Sequence, residues 1–350
     1  MTEFKKEVKC VVWDLDHTVW DGVLLESESV VLKPGIKEII QTLDARGILH
    51  SIASKNNHDD AWKKLQEFGL AEYFIYPEIN WNAKSSSIKK IRENINIGID
   101  TLVFIDDQPF EREEVQSVHP QVECIDAADY QSLTEHKRLN PRFITSDSKL
   151  RRKMYQDDIK RKLEEDEFTG PSESFLASLN MKFIISDCQE DDLKRAEELT
   201  VRTHQLNATG VTYDYDELDA FRKSDKHRLM VCELVDRYGS YGKIGLSLVE
   251  ENADHWHLKL LLMSCRVMSR GVGTILISHI MQECKKEGKT LRADFKKTDR
   301  NKMMYVSYRF ANFKEISSDD EGHVVFTNDL SVIQQFPPYI DVQIRRNGKN

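Results

Sequence analysis

Over residues 9 to about 130, short apolar runs alternate with amphipathic segments, and this alternation limits the fold more than any other feature. The amphipathic segments repeat apolar residues at helical spacing, and Gly47 and Gly69 stand where two of these helices would end. Strands that alternate with helices are typical of a parallel sheet covered on both faces. We therefore predict an α/β domain with a Rossmann-like parallel sheet, whose strands are CVVWD (10–14), ILHSIA (48–53), FIYP (74–77), TLVFID (101–106) and VECID (122–126).

The pattern changes in the second half of the chain. The segments MKFIISD, LMVCELVDRYG, KIGLSLVEEN and WHLKLLLMSC resemble successive strands, the middle ones joined by hairpin turns. A helix entered through glycines, a strand TLRADF and a last helix near 301–309 follow. We predict an α+β domain with a mostly antiparallel sheet.

A highly charged segment with few core positions separates the two patterns and ends in a Gly-Pro break at Pro171. It predicts a solvated linking helix, although a clamp on a partner is an alternative. The predicted division is 1–140 for the first domain, 141–175 for the linking helix and 176–345 for the second domain.

Composition excludes several classes of protein. Among the 350 residues, 40% are apolar and 31% are charged, and the net charge of −9 argues against nucleic acid as a partner. No apolar stretch approaches the roughly 18 residues that span a membrane, and the start has no signal-peptide core. We expect a cytoplasmic protein with no membrane partner. In that reducing compartment the six scattered cysteines, which form no CxxC pair, are expected to be free thiols.

Two carboxylates follow the first predicted strand. Asp14 and Asp16 stand two residues apart where the strand ends, and Thr18 follows them. Side chains at this edge of a parallel sheet project into the crevice where such folds bind ligands. Two close carboxylates repel each other unless a divalent cation or a shared proton neutralises them. The alternative is a pair of aspartates that merely form a turn.

Further polar residues follow other strands or open a helix of the same domain. A hydroxyl, an ammonium and two more carboxylates would meet the first pair at one sheet edge, which favours a site for Mg²⁺ and a phosphate group. These residues are Ser54, Lys55 and Asn56 after the second strand, Lys84 at a helix start, and Asp106 and Asp107 after a later strand.

This combination resembles the haloacid-dehalogenase superfamily of phosphohydrolases and phosphotransferases. The resemblance implies that Asp14 is a nucleophile forming an aspartyl-phosphate, and that Asp16 is the general acid–base. It also implies a Mg²⁺ site made by Asp14, Asp16 through its main-chain carbonyl, Asp106 and Asp107. The implied substrate-binding residues are Thr18, Ser54, Lys55, Asn56 and Lys84. The short segments after Thr18 and Asn56 leave room for a minimal cap only.

Longer strings narrow the resemblance. DLDHTVWDGVL, ASKNN, FIDDQPFEREEV, RTHQLNATG and MSCRVMSRGVG are similar to FkbH-like proteins, in which a subfamily IIIC phosphatase domain precedes a GCN5-related acyltransferase-like (GNAT-like) domain. This resemblance implies that the enzyme dephosphorylates 1,3-bisphosphoglycerate and loads glyceryl onto an acyl carrier protein in polyketide or nonribosomal peptide biosynthesis. The partners implied are the carrier protein and a phosphorylated small molecule.

A glycine-containing turn precedes the long helix of the second half. Free amides around Arg270, Gly271 and Gly273 would cradle a pyrophosphate or a pantetheine arm. GCN5-related acyltransferases usually have a basic or amide residue three positions before the first glycine, where this chain has Met268. The phosphopantetheine arm of a carrier protein is therefore as plausible a ligand as coenzyme A.

Cys265 is a candidate acyl carrier in the same half. It closes the predicted strand, and the charge of Arg266 would favour its thiolate, which could capture glyceryl from an acyl phosphate. His204 and Asn207 offer a base and an amide donor. A buried structural cysteine and turn-forming polar residues are the alternatives. Some relatives carry a cysteine between the first two aspartates, where this chain has Leu15.

Three hypotheses for function remain. The first is the FkbH-like phosphoryl and acyl transfer enzyme. The second is a simple phosphatase of a small phosphorylated metabolite, with a non-catalytic binding domain. The third is a scaffold with a decayed site, which the complete set of carboxylates disfavours.

Overall fold

The computed structural model describes residues 6–27 and 29–346, with the backbone alone at residue 269. The chain divides into two compact units, Met1–Ile159 and Lys160–Asn350. This division falls inside the segment 141–175 that was predicted to link the domains, between the predicted boundaries at 140 and 176.

The first unit is built on a five-stranded parallel sheet with the strand order β5-β4-β1-β6-β7. A short antiparallel hairpin, β2–β3, stands apart from this sheet. The strands are β1 (Cys10–Trp13), β2 (Trp20–Asp21), β3 (Val31–Leu32), β4 (Leu49–Ser54), β5 (Glu78–Ile79), β6 (Leu102–Asp106) and β7 (Glu123–Asp126). The helices are α1 (Ile36–Ala45), α2 (His58–Glu67), α3 (Lys84–Ile95), α4 (Pro109–Val118), α5 (Ser146–Lys149) and α6 (Arg151–Glu167), of which α6 crosses the division between the units.

The central strand β1 is buried on both faces. Its alternate side chains enter two different hydrophobic clusters, Val11 and Trp13 on one side and Cys10 and Val12 on the other. Because β4 and β6 flank β1 in parallel, the carboxyl ends of all three strands meet at one edge of the sheet. The predicted parallel α/β domain with a minimal cap is confirmed.

The predicted strand at 74–77 is wrong. Phe74 makes only an isolated bridge to His50, and the backbone of Tyr76 has a φ of 48°, which extended strands do not adopt. The chain pairs with β4 two residues later, at Glu78–Ile79.

The second unit contains an eight-stranded sheet with the order β13-β14-β12-β11-β10-β9-β8-β15. Neighbouring strands are antiparallel except for the pairs β11–β12 and β8–β15. The strands are β8 (Met181–Asp187), β9 (His227–Asp236), β10 (Gly239–Glu251), β11 (His255–Met263), β12 (Thr290–Lys296), β13 (Lys314–Ser318), β14 (His323–Asn328) and β15 (Ile340–Arg345). The helices are α7 (Ser172–Ser178), α8 (Leu193–Arg202), α9 (Tyr215–Lys223), α10 (Gly273–Lys286) and α11 (Lys302–Phe310). The predicted α+β class is confirmed.

Helix α6 is less solvated than its charged sequence suggested. It buries Met154, Asp157 and Arg161, the last of these completely. Within the second unit, the Arg161 guanidinium makes a two-pronged ion pair with Asp236, with N–O distances of 2.6 and 2.8 Å.

All six cysteines are free. Among residues 6–27 and 29–346, no helix combines the length and the apolar character needed to cross a lipid bilayer.

Candidate active site

Three charged side chains meet at the carboxyl edge of the parallel sheet. Asp14 follows β1, Asp106 ends β6, and Lys84 is the first residue of α3; each is at most 5% exposed. The Lys84 ammonium pairs with Asp14, lies 3.1 Å from Asp106 Oδ2 and donates to the Ala53 carbonyl at 2.7 Å. The lysine therefore pairs with two buried carboxylates at the ends of the neighbouring strands β1 and β6.

Burial sets the protonation of this cluster. Burial raises the pKa of Asp14 to about 7; the Lys84 charge opposes this shift, and the Asp106 charge adds to it. Burial also raises the pKa of Asp106. Burial disfavours the Lys84 ammonium as well, but the two carboxylates outweigh it and the pKa of Lys84 is raised. A further positive charge would favour full ionisation of both carboxylates.

The same edge has the composition of a divalent-cation site. Carboxylate oxygens of Asp14, Asp106 and Asp107 lie within 4.8 Å of one another. Asp107 Oδ1 is buried and accepts no hydrogen bond from the described part of the chain, although a buried polar atom without a partner is costly. With one ammonium, three ionised carboxylates leave a formal charge of −2. These residues fit Mg²⁺, which prefers a few carboxylates and keeps water or phosphate oxygens as its other ligands.

Asp16 lies outside this group of carboxylates. Its Oδ1 accepts from the Trp20 indole at 2.8 Å and from the Leu24 amide at 3.1 Å. Its Oδ2 accepts from the Asn56 side-chain amide at 3.0 Å. The Asp16 side chain is thus held by protein donors, and its predicted contribution to the metal site through the main-chain carbonyl stays a prediction.

The predicted substrate-binding residues of the first unit lie in different surroundings. A hydrogen bond from Ser54 favours the ionised form of Asp14. Lys55 donates to Glu111 at 2.6 Å. The Thr18 side chain is fully buried, and its hydroxyl oxygen has no hydrogen-bond partner among the described residues. Contacts of these side chains, and of Asn56, with a substrate stay predictions.

Helix α4 contributes residues that the sequence reasoning missed. The Glu111 carboxylate accepts a hydrogen bond from the Lys55 ammonium. The Arg112 guanidinium donates to the Asp106 carbonyl at 2.7 Å. The Glu114 carboxylate accepts from the Ser85 amide at 2.9 Å. One short helix therefore holds the loops after β4 and β6 and the start of α3. The run of charged residues after Pro109 was the available signal.

In the second unit, the segment that contains His204 and Asn207 joins the end of β11. Met263 donates its amide to the Leu206 carbonyl at 2.8 Å, and the Ala208 amide donates to the Leu261 carbonyl at 2.9 Å. Because residues 206–208 pair antiparallel with residues 261–263, the exposed His204 and the residues after Met263 lie at the same end of this pairing.

Cys265 does not close β11, as the sequence suggested. The strand ends at Met263, and the half-buried Cys265 begins a 3₁₀ helix, Cys265–Arg270. The guanidinium of Arg266 donates to the Tyr241 carbonyl at 2.9 Å.

The side chain of Asn207 forms a turn. Its carbonyl oxygen accepts from the amides of Thr209 and Gly210 at 3.2 and 2.9 Å, and the residue is 1% exposed. This arrangement agrees with the turn-forming alternative. A catalytic part for Cys265, His204 or Asn207 stays a prediction.

The predicted cradle around residues 270–273 contains two glycines with different constraints. Gly271 has a φ of 75°, and a Cβ there would lie 2.5 Å from Tyr339 Oη. Gly273 begins α10, and a Cβ there would meet nothing within 4 Å. Arg270 is largely buried and pairs with Glu165 at 3.1 Å. The backbone conformation thus favours glycine at 271, where a Cβ would also displace the Tyr339 hydroxyl, whereas Gly273 leaves open space at the helix start.

Alanine substitutions separate these two constraints. We expect Gly271→Ala to lower the free energy of unfolding by about 1–3 kcal/mol, because an L-residue is strained at this φ and its Cβ would displace the Tyr339 hydroxyl. Gly273→Ala, the matched control, should leave stability unchanged or raise it by up to about 1 kcal/mol. Urea denaturation measures both. Equal losses in the two variants would contradict this assignment.

A parallel α/β unit with a buried Asp–Lys–Asp cluster at its carboxyl edge has the residue types that phosphoryl transfer uses. Residues 18–118 match the family model described as haloacid dehalogenase-like hydrolase. The first unit thus contains a haloacid dehalogenase-like domain.

Individual relatives match parts of the chain. Human magnesium-dependent phosphatase 1 is 25% identical over 119 residues, covering 29% of this chain and 68% of that protein. The N-terminal part of a Bacteroides fragilis protein, containing a phosphatase domain complexed with Mg, is 29% identical with a TM-score of 0.32; the match covers 39% of this chain and 40% of that one. The GNAT domain of PAT from S. lividans is similar at 15% identity with a TM-score of 0.33, and the match covers 41% of this chain and 88% of that domain's chain.

Proposed function

We propose that the first unit is a Mg²⁺-dependent phosphatase that uses Asp14 as its nucleophile. The observation that carries this proposal is the buried contact of Asp14 with Lys84 and Asp106, beside an Asp107 oxygen that lacks a partner among the described residues. The match to haloacid dehalogenase-like hydrolases and to a magnesium-dependent phosphatase supports it.

The chain's own residues divide the reaction into two steps. A carboxylate oxygen of Asp14 attacks phosphorus, the bond from phosphorus to the leaving oxygen breaks, and an aspartyl-phosphate forms. Asp16 gives a proton to the leaving oxygen and then takes one from the water that hydrolyses the aspartyl-phosphate. Lys84 favours the ionised nucleophile and neutralises charge on the phosphoryl group. Mg²⁺, held by Asp14, Asp106 and Asp107, would supply further neutralisation of that charge.

The more specific proposal joins acyl transfer to this phosphatase. The substrate is 1,3-bisphosphoglycerate, in which one phosphate is an ester and the other is an acyl phosphate. The first unit hydrolyses the ester. The Cys265 thiolate attacks the acyl carbon, the carbon–oxygen bond to phosphate breaks, and phosphate leaves with the electron pair. A carrier-protein pantetheine thiol then displaces Cys265 and takes the glyceryl group.

A plain phosphatase of a small phosphorylated metabolite is the second candidate. Two observations favour it: the Asn207 amide oxygen accepts backbone amides of a turn, and the Arg266 guanidinium donates to a backbone carbonyl. Polar groups engaged in this way are less available to a substrate.

Intact-protein mass after incubation with Mg²⁺ and 1,3-bisphosphoglycerate distinguishes these candidates. Acyl transfer predicts a glyceryl-sized gain in the wild type that disappears in Cys265→Ala while phosphate release continues. Cys124→Ala, which removes a half-buried thiol of the first unit, is the matched control and should keep the gain. Phosphate release without any acyl gain would favour the plain phosphatase, or a direct transfer that requires the carrier protein.

A further inference from the structure

The Asp16 carboxylate is surrounded by donors from three separate places. Trp20 begins the β2–β3 hairpin, Leu24 lies in the turn of that hairpin, and Asn56 lies two residues beyond β4. Each donates one N–H group to Asp16, at distances of 2.8, 3.1 and 3.0 Å. No single turn or loop produces this arrangement.

Two of the three donors are themselves fixed. The Trp20 side chain is fully buried and packs against Phe68, with 6.1 Å between the ring centroids. Asn56 is 1% exposed, and its own carbonyl oxygen accepts from the Asn57 amide at 3.0 Å. Because that bond determines which end of the Asn56 amide is oxygen, its NH₂ group necessarily faces Asp16.

The donors are distributed unequally over the carboxylate. Oδ1 accepts two N–H groups, from Trp20 and Leu24, whereas Oδ2 accepts one, from Asn56. Within the described part of the chain, Oδ2 therefore keeps more free lone-pair capacity and is the oxygen that can carry a transferable proton. A carboxylate held at both oxygens cannot turn about its terminal bond without breaking these contacts.

We infer that Trp20 and Asn56 are positioning residues, which orient Asp16 so that Oδ2 faces the leaving oxygen of a phosphate ester. Neither side chain touches the reacting atoms in this assignment; both act through Asp16. The inference rests on the proposed phosphatase function and adds that the substrates of this site are esters with poor, alcohol-like leaving groups. Such groups leave slowly as anions, so they depend on a well-placed proton donor.

Two aryl phosphates test the inference in the full-length protein with Mg²⁺. Phenyl phosphate has a poor leaving group, whereas p-nitrophenyl phosphate has an activated one that needs little protonation. We expect Trp20→Phe to lower kcat/KM about 10-fold more for phenyl phosphate than for p-nitrophenyl phosphate, a modest part of what general acids contribute. Asn56→Ala should change the ratio in the same direction, and it provides the comparison if Trp20→Phe does not fold.

A double-mutant cycle distinguishes positioning from general damage. If Trp20 acts only through Asp16, adding Trp20→Phe to Asp16→Asn should lower turnover by less than about 2-fold. Trp256→Phe is the matched control, because it also removes a buried indole, one that donates to Glu287 at 3.2 Å in the second unit. It should leave the ratio between the two substrates unchanged.

Several results would overturn the inference. Equal losses for both substrates in Trp20→Phe and Asn56→Ala, or full additivity with Asp16→Asn, would make these residues structural only. A wild type that hydrolyses neither aryl phosphate with Mg²⁺ would remove the proposed function, and this inference with it. Turnover in the wild type with an unchanged ratio in both variants rejects the inference alone.

Discussion

Asp14→Asn is expected to lower kcat for p-nitrophenyl phosphate hydrolysis by at least about 10⁴-fold, since it removes the attacking oxygen while keeping the size of the side chain. Steady-state kinetics with and without Mg²⁺ measures this loss. The wild type alone should also give a phosphoryl-sized mass gain after rapid acid quench.

The same substitution should leave the fold intact. Burial disfavours the ionised form of Asp14, and Lys84 keeps Asp106 as a partner when Asp14 becomes a neutral amide of equal size, so the melting temperature should change little. The matched control is Asp129→Asn, which changes an exposed aspartate outside the cluster and should keep wild-type turnover. Turnover of Asp14→Asn within 10-fold of the wild type would exclude Asp14 as the nucleophile.

The largest expected loss of stability follows Arg161→Met. It removes a fully buried guanidinium that pairs with Asp236 and lies 3.9 Å from the centroid of the Tyr241 ring. Among the described residues, the buried Asp236 carboxylate would keep the Tyr241 hydroxyl and the backbone amides of residues 238 and 239 as donors. Removing one partner of a buried ion pair costs about 3–5 kcal/mol.

Hydrogen exchange in the strands β9 and β10 measures this loss locally in the full-length protein. The double variant Arg161→Met with Asp236→Leu should recover part of the stability, because it removes the buried charge together with its partner. Arg300→Met, at an exposed pair 3.7 Å from Asp299, is the surface control and should change stability by less than about 1 kcal/mol. If Arg161→Met lowered stability as little as Arg300→Met does, the buried pair would contribute little to stability.

The central strands of the parallel sheet were predictable because β1 and β6 are buried on both faces and appear in the sequence as nearly continuous apolar runs. CVVWD, TLVFID and VECID became β1, β6 and β7 with shifts of one residue at most. Burial of every residue of β1 is the physical cause of that signal. The charged edge residues were predictable for a related reason, since the end of each run marks the edge of the sheet.

Other elements left no comparable signal. The three last strands were not predicted, and β13 is exposed along its whole length, so no alternation of apolar and polar residues marks it. The buried side of α6 was also missed, because Asp157 and Arg161 are charged residues in the interior. Predictions from hydropathy place charged residues such as these on the surface.

The contacts that orient the candidate site were beyond sequence reasoning. Asn56 was predicted to bind substrate, yet its amide donates to Asp16, 40 positions earlier in the chain. The contacts of Glu111 with Lys55 and of Glu114 with Ser85 also join distant segments. Such pairs depend on how loops meet at a sheet edge, which periodicity within one element does not describe.

Helix α4 has a thermodynamic consequence for turnover. Its first two turns bind the loops after β4 and β6 and the start of α3, so these segments lose their conformational freedom when the domain folds. A substrate that meets loops already immobilised does not bear the entropic cost of ordering them in each catalytic cycle. The ordering cost appears once, in a lower net stability of the domain, and more of the binding free energy then remains for lowering the reaction barrier.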